Sequence, residues 1–129
     1  TIINDVTARD WQQRHKQWFL GKSFDTFCPM GPWIVTRDEL KDDDISVKCW
    51  VNDELRQSSN SKDLIFDVPT LIETISAGIT LYPGDIIATG TPAGVGLGFK
   101  PPKFLVAGDT VRMEVGGVGV LENKLVNGA

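Results

Sequence analysis

Apolar and polar residues alternate along two stretches of the chain, which is the pattern of strands with one buried face. The first stretch covers residues 45–51, and the second covers residues 111–115. Asn52-Asp53 is a turn signal, so residues 55–58 are predicted to return as the second arm of a hairpin. Gly116-Gly117 is expected to turn the other stretch into one more strand.

The remaining strands are predicted to be short. Residues 33–36 and 85–89 are brief apolar runs bounded by Gly or Pro. The opening Ile2-Ile3 resembles the inside of a strand, and no initiator Met precedes it. We therefore expect the chain to be a segment whose upstream portion lies elsewhere.

Helical signals occur in two places. Residues 7–10 resemble a capping box, which predicts a short helix over about residues 8–16. Asp67 can cap a longer helix with Pro69 in its first turn, followed by apolar residues at helical spacing. Many short strands, frequent turns and one main helix predict a β-rich α+β fold, a barrel or sandwich rather than a doubly wound sheet.

Composition narrows the class of protein. The 129 residues suffice for one domain but not comfortably for two, so residues 1–129 are taken as a single domain. A net charge of −4 argues against binding to nucleic acid or to anionic membranes. No apolar run approaches the roughly 20 residues of a membrane helix. Cys28 and Cys49 indicate buried, reduced thiols in an intracellular protein, with a single disulfide as the alternative.

Several polar residues are candidates for chemistry. Asp5 lies between a strand and a helix, where a carboxylate can bind a hard cation such as Mg²⁺ or Mn²⁺, although a turn or capping role is commoner for a single Asp. Arg9 and Gln12 share one helix face and can bind a substrate carboxylate or carbonyl. A solvated helix face would explain this pair equally well.

Two further candidates lie in Gly-containing segments. Lys22, among apolar neighbours, can stabilise an enolate or a tetrahedral oxyanion by its fixed charge. An exposed lysine whose stem covers apolar surface is the alternative. The motif Thr89-Gly90-Thr91-Pro92 offers hydroxyls and amides for a substrate oxygen, and it is also favourable turn chemistry.

Other mechanisms are disfavoured. Gly21-Lys22-Ser23 does not complete a phosphate-binding loop, because Lys16 stands where that motif needs glycine. The single histidine, His15, lies in a polar run and is predicted to face solvent, which argues against Ser-His or Cys-His nucleophilic catalysis. One His and two Cys are also too few for a zinc site of Cys and His.

Three segments, taken in order, resemble the fumarylacetoacetate hydrolase family. They are residues 4–12 (NDVTARDWQ), 21–29 (GKSFDTFCP) and 90–96 (GTPAGVG). Smaller matches lie at residues 51–54, 83–85 and 101–105. The resemblance covers essentially the whole chain. Within the family, the chain most resembles the fumarylacetoacetate hydrolase domain-containing proteins of type 2.

The resemblance implies a role for each candidate. Asp5 corresponds to the third of three metal carboxylates, and the metal would be Mg²⁺, with Mn²⁺ or Ca²⁺ as alternatives. Arg9 and Lys22 correspond to catalytic positions. Arg9, Gln12 and Thr91 correspond to positions that contact the substrate. Thr26 corresponds to a threonine near the metal in some members.

The resemblance also implies a mixed β-roll or sandwich, a homodimer, and a cytoplasmic or mitochondrial location. The expected activity is a divalent-metal-dependent hydrolase or lyase that acts on C–C bonds of small β-dioxo or oxo acids through a metal-bound enolate. The Glu-x-Glu metal pair and the catalytic His of the family belong upstream of Asp5, so this chain alone is expected to be inactive. The alternative is a non-catalytic remnant, or a module for small-molecule binding or dimerisation.

Overall fold

A computed structural model describes residues 1–14, 16–40 and 44–127. The prediction for His15 therefore lies outside the described residues. The strands are β1 Ile2–Ile3, β2 Met30–Gly31, β3 Ser46–Val51, β4 Glu54–Asn60, β5 Thr110–Val115 and β6 Gly119–Lys124. The α-helices are α1 Arg9–Arg14 and α2 Val68–Ser76, and 3-10 helices cover Trp18–Lys22, Ser61–Asp63 and Gly96–Gly98.

Four strands form one antiparallel sheet in the order β4-β3-β5-β6. The alternation in the sequence gives this sheet one apolar face, since Cys49 pairs with Met113 and Val51 pairs with Val111. The buried core consists of Ile2, Cys49, Val51, Val111, Met113 and Val118. The predicted hairpin and the strand that follows Gly116-Gly117 are both confirmed.

The hairpin between β3 and β4 contains an irregularity that affects the site. Trp50 pairs with Leu55, whereas the next pair joins Cys49 to Gln57. Arg56 is therefore an extra residue in β4, which is a β-bulge. A bulge bends its strand and changes the direction of the side chains beside it.

The first strand ties the start of the chain to this sheet. β1 pairs with β2, and Ile2 enters the core. Buried Asn4 donates its amide N–H to the Pro29 carbonyl at 3.0 Å and its side-chain N–H to Asn123 Oδ1 on β6 at 3.1 Å. These bonds fix the backbone immediately before Asp5.

Both predicted helices form, but their starts differ. Asp67 caps α2 as expected, with its carboxylate accepting from the Thr70 amide at 2.8 Å. At α1 the Thr7 hydroxyl instead donates to the Asp5 carbonyl at 3.1 Å, so the predicted capping box is wrong. The Thr7 hydroxyl also accepts a hydrogen bond from the Lys22 ammonium.

Two of the predicted short strands are wrong. β2 ends at Gly31 because Pro32, which has no amide hydrogen to donate, follows it, and residues 33–36 stay irregular. Residues 85–89 follow a turn in which the Tyr82 amide donates to the Asp85 carboxylate at 2.7 Å, and they are also irregular. Both apolar runs are outside the sheets.

Both cysteines are free, but Cys28 is exposed and only Cys49 is buried, which corrects half of that prediction. The β-rich α+β class is confirmed. None of the helices in the described part of the chain is long and apolar enough to cross a membrane. Several large apolar side chains are exposed between residues 65 and 86, including Ile65, which is 90% exposed, and Tyr82, which is 68% exposed.

Candidate active site

Asp5 and Lys22, which are 17 positions apart in the sequence, are in direct contact. The Lys22 ammonium forms an ion pair with the Asp5 carboxylate and donates a hydrogen bond to the Thr7 hydroxyl at 3.2 Å. The Lys22 side chain is 30% exposed and that of Asp5 49% exposed. We call these three residues the ionic cluster.

Gly21 brings Lys22 to this position. Its carbonyl accepts from the Ala8 amide at 2.8 Å, which joins the 3-10 helix Trp18–Lys22 to the start of α1. A Cβ atom at residue 21 would lie 2.8 Å from the Ala8 oxygen and 2.8 Å from the Gln12 nitrogen. Because both neighbours are backbone atoms, only glycine allows this close approach.

Arg9 and Gln12 form the second part of the site. Arg9 Nη1 donates to Gln12 Oε1 at 2.8 Å, and Gln12 is buried. Both side chains line a cavity of about 380 Å³. The other lining residues are Gln13, Lys16, Trp18 and Leu97. Leu97 directly follows the GTPAGVG motif, so the segment after this motif and α1 meet at one cavity.

Thr91 is exposed within the same motif, and its hydroxyl accepts from Gln57 Nε2 on β4 at 2.8 Å. Thr26 is exposed and has a positive φ of 68°. The hydrogen bonds between described residues do not join Thr26 to the ionic cluster. The structure thus brings Asp5 into contact with Lys22 and Arg9 into contact with Gln12. Thr91 is held by a hydrogen bond from Gln57, a residue of the main sheet.

A set of β4 side chains fixes the segment between residues 90 and 104. Arg56 donates to the Lys103 carbonyl at 3.0 Å, and Glu54 forms ion pairs with Arg56 and with the Lys103 ammonium. The hydrogen bond from Lys103 holds the pKa of Glu54 below its usual value, with further lowering by the charges of Lys103 and Arg56. We call Glu54, Arg56, Gln57 and Lys103 the loop clamp.

Three residues that make these contacts were not among the candidates predicted from the sequence: Thr7, Gln57 and Leu97. Thr7 was interpreted as a helix cap, although it lies inside the NDVTARD motif and was available as a candidate. Gln57 and Leu97 carried no signal, because an amide on a strand and an apolar residue after a glycine are both ordinary. Their roles depend on which segments fold against each other.

The predicted Mg²⁺ site requires several carboxylates close together. Among residues 1–14, 16–40 and 44–127, no three His, Cys, Asp or Glu side chains lie close enough together to hold a metal ion. A hard divalent cation takes about six oxygen ligands, several of them from carboxylates or water. The described residues offer one such carboxylate, Asp5, so by themselves they do not fit the ion.

Comparison with known proteins identifies the class. The profile of the family described as fumarylacetoacetate (FAA) hydrolase C-terminal matches residues 1–126. The chain therefore belongs to the fumarylacetoacetate hydrolase family, as the motifs predicted.

Individual relatives are similar over nearly the whole chain. Oxaloacetate tautomerase YisK of Bacillus subtilis is 55% identical over 126 residues, which are 97% of this chain and 42% of that protein. The mitochondrial oxaloacetate tautomerase Fahd2a of Rattus norvegicus is 52% identical over 128 residues, which are 98% of this chain and 41% of that protein. The chain thus spans about two fifths of the length of these curated relatives.

A solved structure gives the same result for the fold. A fumarylacetoacetate hydrolase (EaFAH) from Exiguobacterium antarcticum superposes with a TM-score of 0.97 and 52% identity, covering 99% of this chain and 46% of that one. The names of these relatives describe enzymes that act on oxo acids, and they include a tautomerase as well as a hydrolase. The family to which the chain belongs therefore includes enzymes that are named for reactions of oxo acids.

Proposed function

We propose that the complete protein containing this chain catalyses keto–enol tautomerisation of oxaloacetate or a similar small 2-oxo diacid. The observation that carries the proposal is that α1 and the 3-10 helix Trp18–Lys22, which the bond from the Ala8 amide to the Gly21 carbonyl joins, bear both the Arg9–Gln12 pair and Lys22 of the ionic cluster. The chain is also more than 50% identical to two oxaloacetate tautomerases. The sequence alone predicted a hydrolase or lyase; tautomerisation passes through the same enolate without breaking a C–C bond.

The side chains suggest how such a reaction is assisted. The planar guanidinium of Arg9 suits a substrate carboxylate. Because Gln12 Oε1 already accepts from Arg9, the Gln12 amide N–H groups remain to donate to a carbonyl oxygen. The Lys22 ammonium supplies a fixed positive charge for the enolate oxygen that forms as the neighbouring carbon loses its proton.

The metal is a separate proposal, since the described residues alone do not fit it. We propose that the complete protein binds Mg²⁺, Mn²⁺ or Ca²⁺ with Asp5 as one ligand and the other carboxylates outside this chain. Such an ion would polarise the substrate carbonyl. Calorimetric titration of Mg²⁺ into the complete protein and its Asp5→Ala variant tests this. Equal binding by the two proteins would remove Asp5 from the site.

The decisive experiment follows the fate of oxaloacetate in deuterated buffer. A tautomerase exchanges the C3 hydrogens for deuterium and accelerates loss of the enol absorbance without changing the carbon skeleton. Buffer containing the same Mg²⁺ concentration without enzyme is the control. No acceleration over that control would overturn the proposal.

Hydrolysis or decarboxylation is the second candidate, favoured by the similarity to the Exiguobacterium hydrolase. It would release pyruvate from oxaloacetate, or two acids from an acylpyruvate or fumarylacetoacetate, and chromatography of the products distinguishes these reactions. We also propose that the complete protein is a homodimer, which sedimentation would test. The compartment stays a prediction: the rat relative carries a mitochondrial name.

A further inference from the structure

The bulge in β4 directs two consecutive side chains to one segment. In a regular strand, neighbouring side chains point to opposite faces. Here Arg56 is the extra residue. Gln57 reaches the GTPAGVG motif, and Arg56 reaches the segment that follows this motif. Arg56 binds the Lys103 carbonyl, and Gln57 binds Thr91.

The hydrogen bonds of Gln57 determine where the hydrogen atoms lie. Its Nε2 group contacts the Pro92 carbonyl at 2.9 Å as well as the Thr91 hydroxyl at 2.8 Å. A carbonyl oxygen only accepts, so the side-chain end facing Pro92 must be the amide nitrogen. This nitrogen carries two hydrogens, one for each partner. The Thr91 oxygen is therefore an acceptor, and its own hydrogen is not used by Gln57.

The backbone around Thr91 is held just as closely. A Cβ atom at Gly94 would lie 1.8 Å from the Arg56 carbonyl oxygen, so the loop rests directly against the bulge. Thr91 itself is exposed, which leaves its hydroxyl hydrogen available to a ligand. Leu97, six residues later, lines the cavity that contains Arg9 and Gln12.

We propose that Gln57 is a positioning residue that holds the Thr91 hydroxyl with its hydrogen directed at an oxygen of the bound oxo acid. This inference rests on the proposed function, because it requires an oxo-acid ligand near Thr91. Gln57 would not touch the substrate. It would act by occupying a lone pair of the Thr91 oxygen, so that the hydroxyl remains a donor.

Two substitutions at residue 57 separate this role from a purely structural one. Gln57→Met keeps the length of the side chain but removes the donor, and we expect KM for oxaloacetate to rise about threefold. Gln57→Glu supplies an acceptor that takes the Thr91 hydrogen, and we expect KM to rise about tenfold or more. Gln17→Glu, on an exposed residue outside the site, is the charge control and should match the wild type.

A double-mutant cycle shows whether Gln57 acts through Thr91. Thr91→Val should raise KM about tenfold, and adding Gln57→Met to it should then change nothing further. Additive effects on KM, or a lowered melting temperature with KM unchanged, would show that Gln57 only supports the loop. Either result would overturn the proposal.

The same variants of the complete protein are titrated with oxalate by calorimetry, so that the result does not depend on turnover. If the wild type tautomerises oxaloacetate while substitutions at Gln57 leave KM and oxalate affinity unchanged, the positioning role is wrong and the function stands. A second outcome is that the wild type binds oxalate without tautomerising oxaloacetate, while Gln57→Met weakens oxalate binding and Gln57→Glu weakens it further. In that case the function is wrong and the positioning role stands. Absence of both turnover and oxalate binding would overturn the two together.

Discussion

The ionic cluster and the loop clamp are both held by hydrogen bonds, but they are built on different supports. Asp5, Thr7 and Lys22 lie on short segments at the start of the chain, and the pair at their centre is partly exposed. The loop clamp extends from β4, a strand of the main sheet, and holds a glycine-rich loop against a bulge. The Lys103–Glu54 pair of the clamp is also partly exposed, and an exposed ion pair contributes about 0–1 kcal/mol to folding, so the two groups differ in their backbone support rather than in their ion pairs. The comparison suggests that the first group serves chemistry and the second serves shape.

The largest effect should come from Lys22→Met. Loss of a fixed charge at a developing oxyanion lowers kcat by about a hundred- to a thousandfold. The melting temperature should barely change, because the pair with Asp5 is partly exposed. Stopped-flow assays and calorimetry on the complete protein measure both quantities, with exposed Lys124→Met as the control. Near-normal activity would contradict a chemical role for the cluster.

Gly94→Ala changes the loop that the clamp holds. In contrast to Lys22→Met, its main expected effect is on stability. Its new Cβ would meet the Arg56 carbonyl oxygen at 1.8 Å, and its φ of +107° strains any other residue. We expect the free energy of unfolding to fall by about 2–4 kcal/mol. Gly84→Ala is a matched control, since Gly84 has a φ of +98° but no atom within 4 Å of the added Cβ. Denaturant unfolding of both variants isolates the clash from the backbone strain, and equal losses would refute the clash.

Arg9→Lys tests the cavity that Arg9 and Gln12 line together with Leu97. The lysine keeps the charge but loses the planar fork and the geometry of the bond to Gln12, so KM should rise about tenfold while stability stays unchanged. Exposed Arg37→Lys serves as the control. An unchanged KM would show that Arg9 does not contact the substrate.

The smallest effect concerns the charge of the loop clamp. The pKa of Glu54 is lowered, chiefly by its hydrogen bond from Lys103. A lowered pKa adds stability above the unfolded value of about 4.3, and this stability is lost as pH falls through the folded value. The melting temperature of Glu54→Gln should therefore decrease slightly less than that of the wild type between about pH 5 and about pH 3. Glu122→Gln, on exposed β6, should behave like the wild type, and an identical acid response in Glu54→Gln would exclude the ion pair as a source of stability.

Sequence reasoning succeeded where a signal is local. The alternation over residues 45–51 and 111–115 located β3 and β5, and Asp67 marked the start of α2 as capping rules require. It failed at residues 33–36 and 85–89, because an apolar run becomes a strand only if another strand is free to pair with it. Local composition cannot report that partner.

For the site, the motifs selected Asp5, Arg9, Gln12, Lys22 and Thr91 from the amino-acid sequence, and the family followed from their order. The sequence alone thus determined which functional groups are present, and it located the helix that carries Arg9 and Gln12. The contact between Asp5 and Lys22, and the hold of Gln57 on Thr91, were decided only by tertiary structure. The reason is physical: these contacts join segments 17 and 34 residues apart, and their distances depend on how close Gly21 and Gly94 allow two backbones to come.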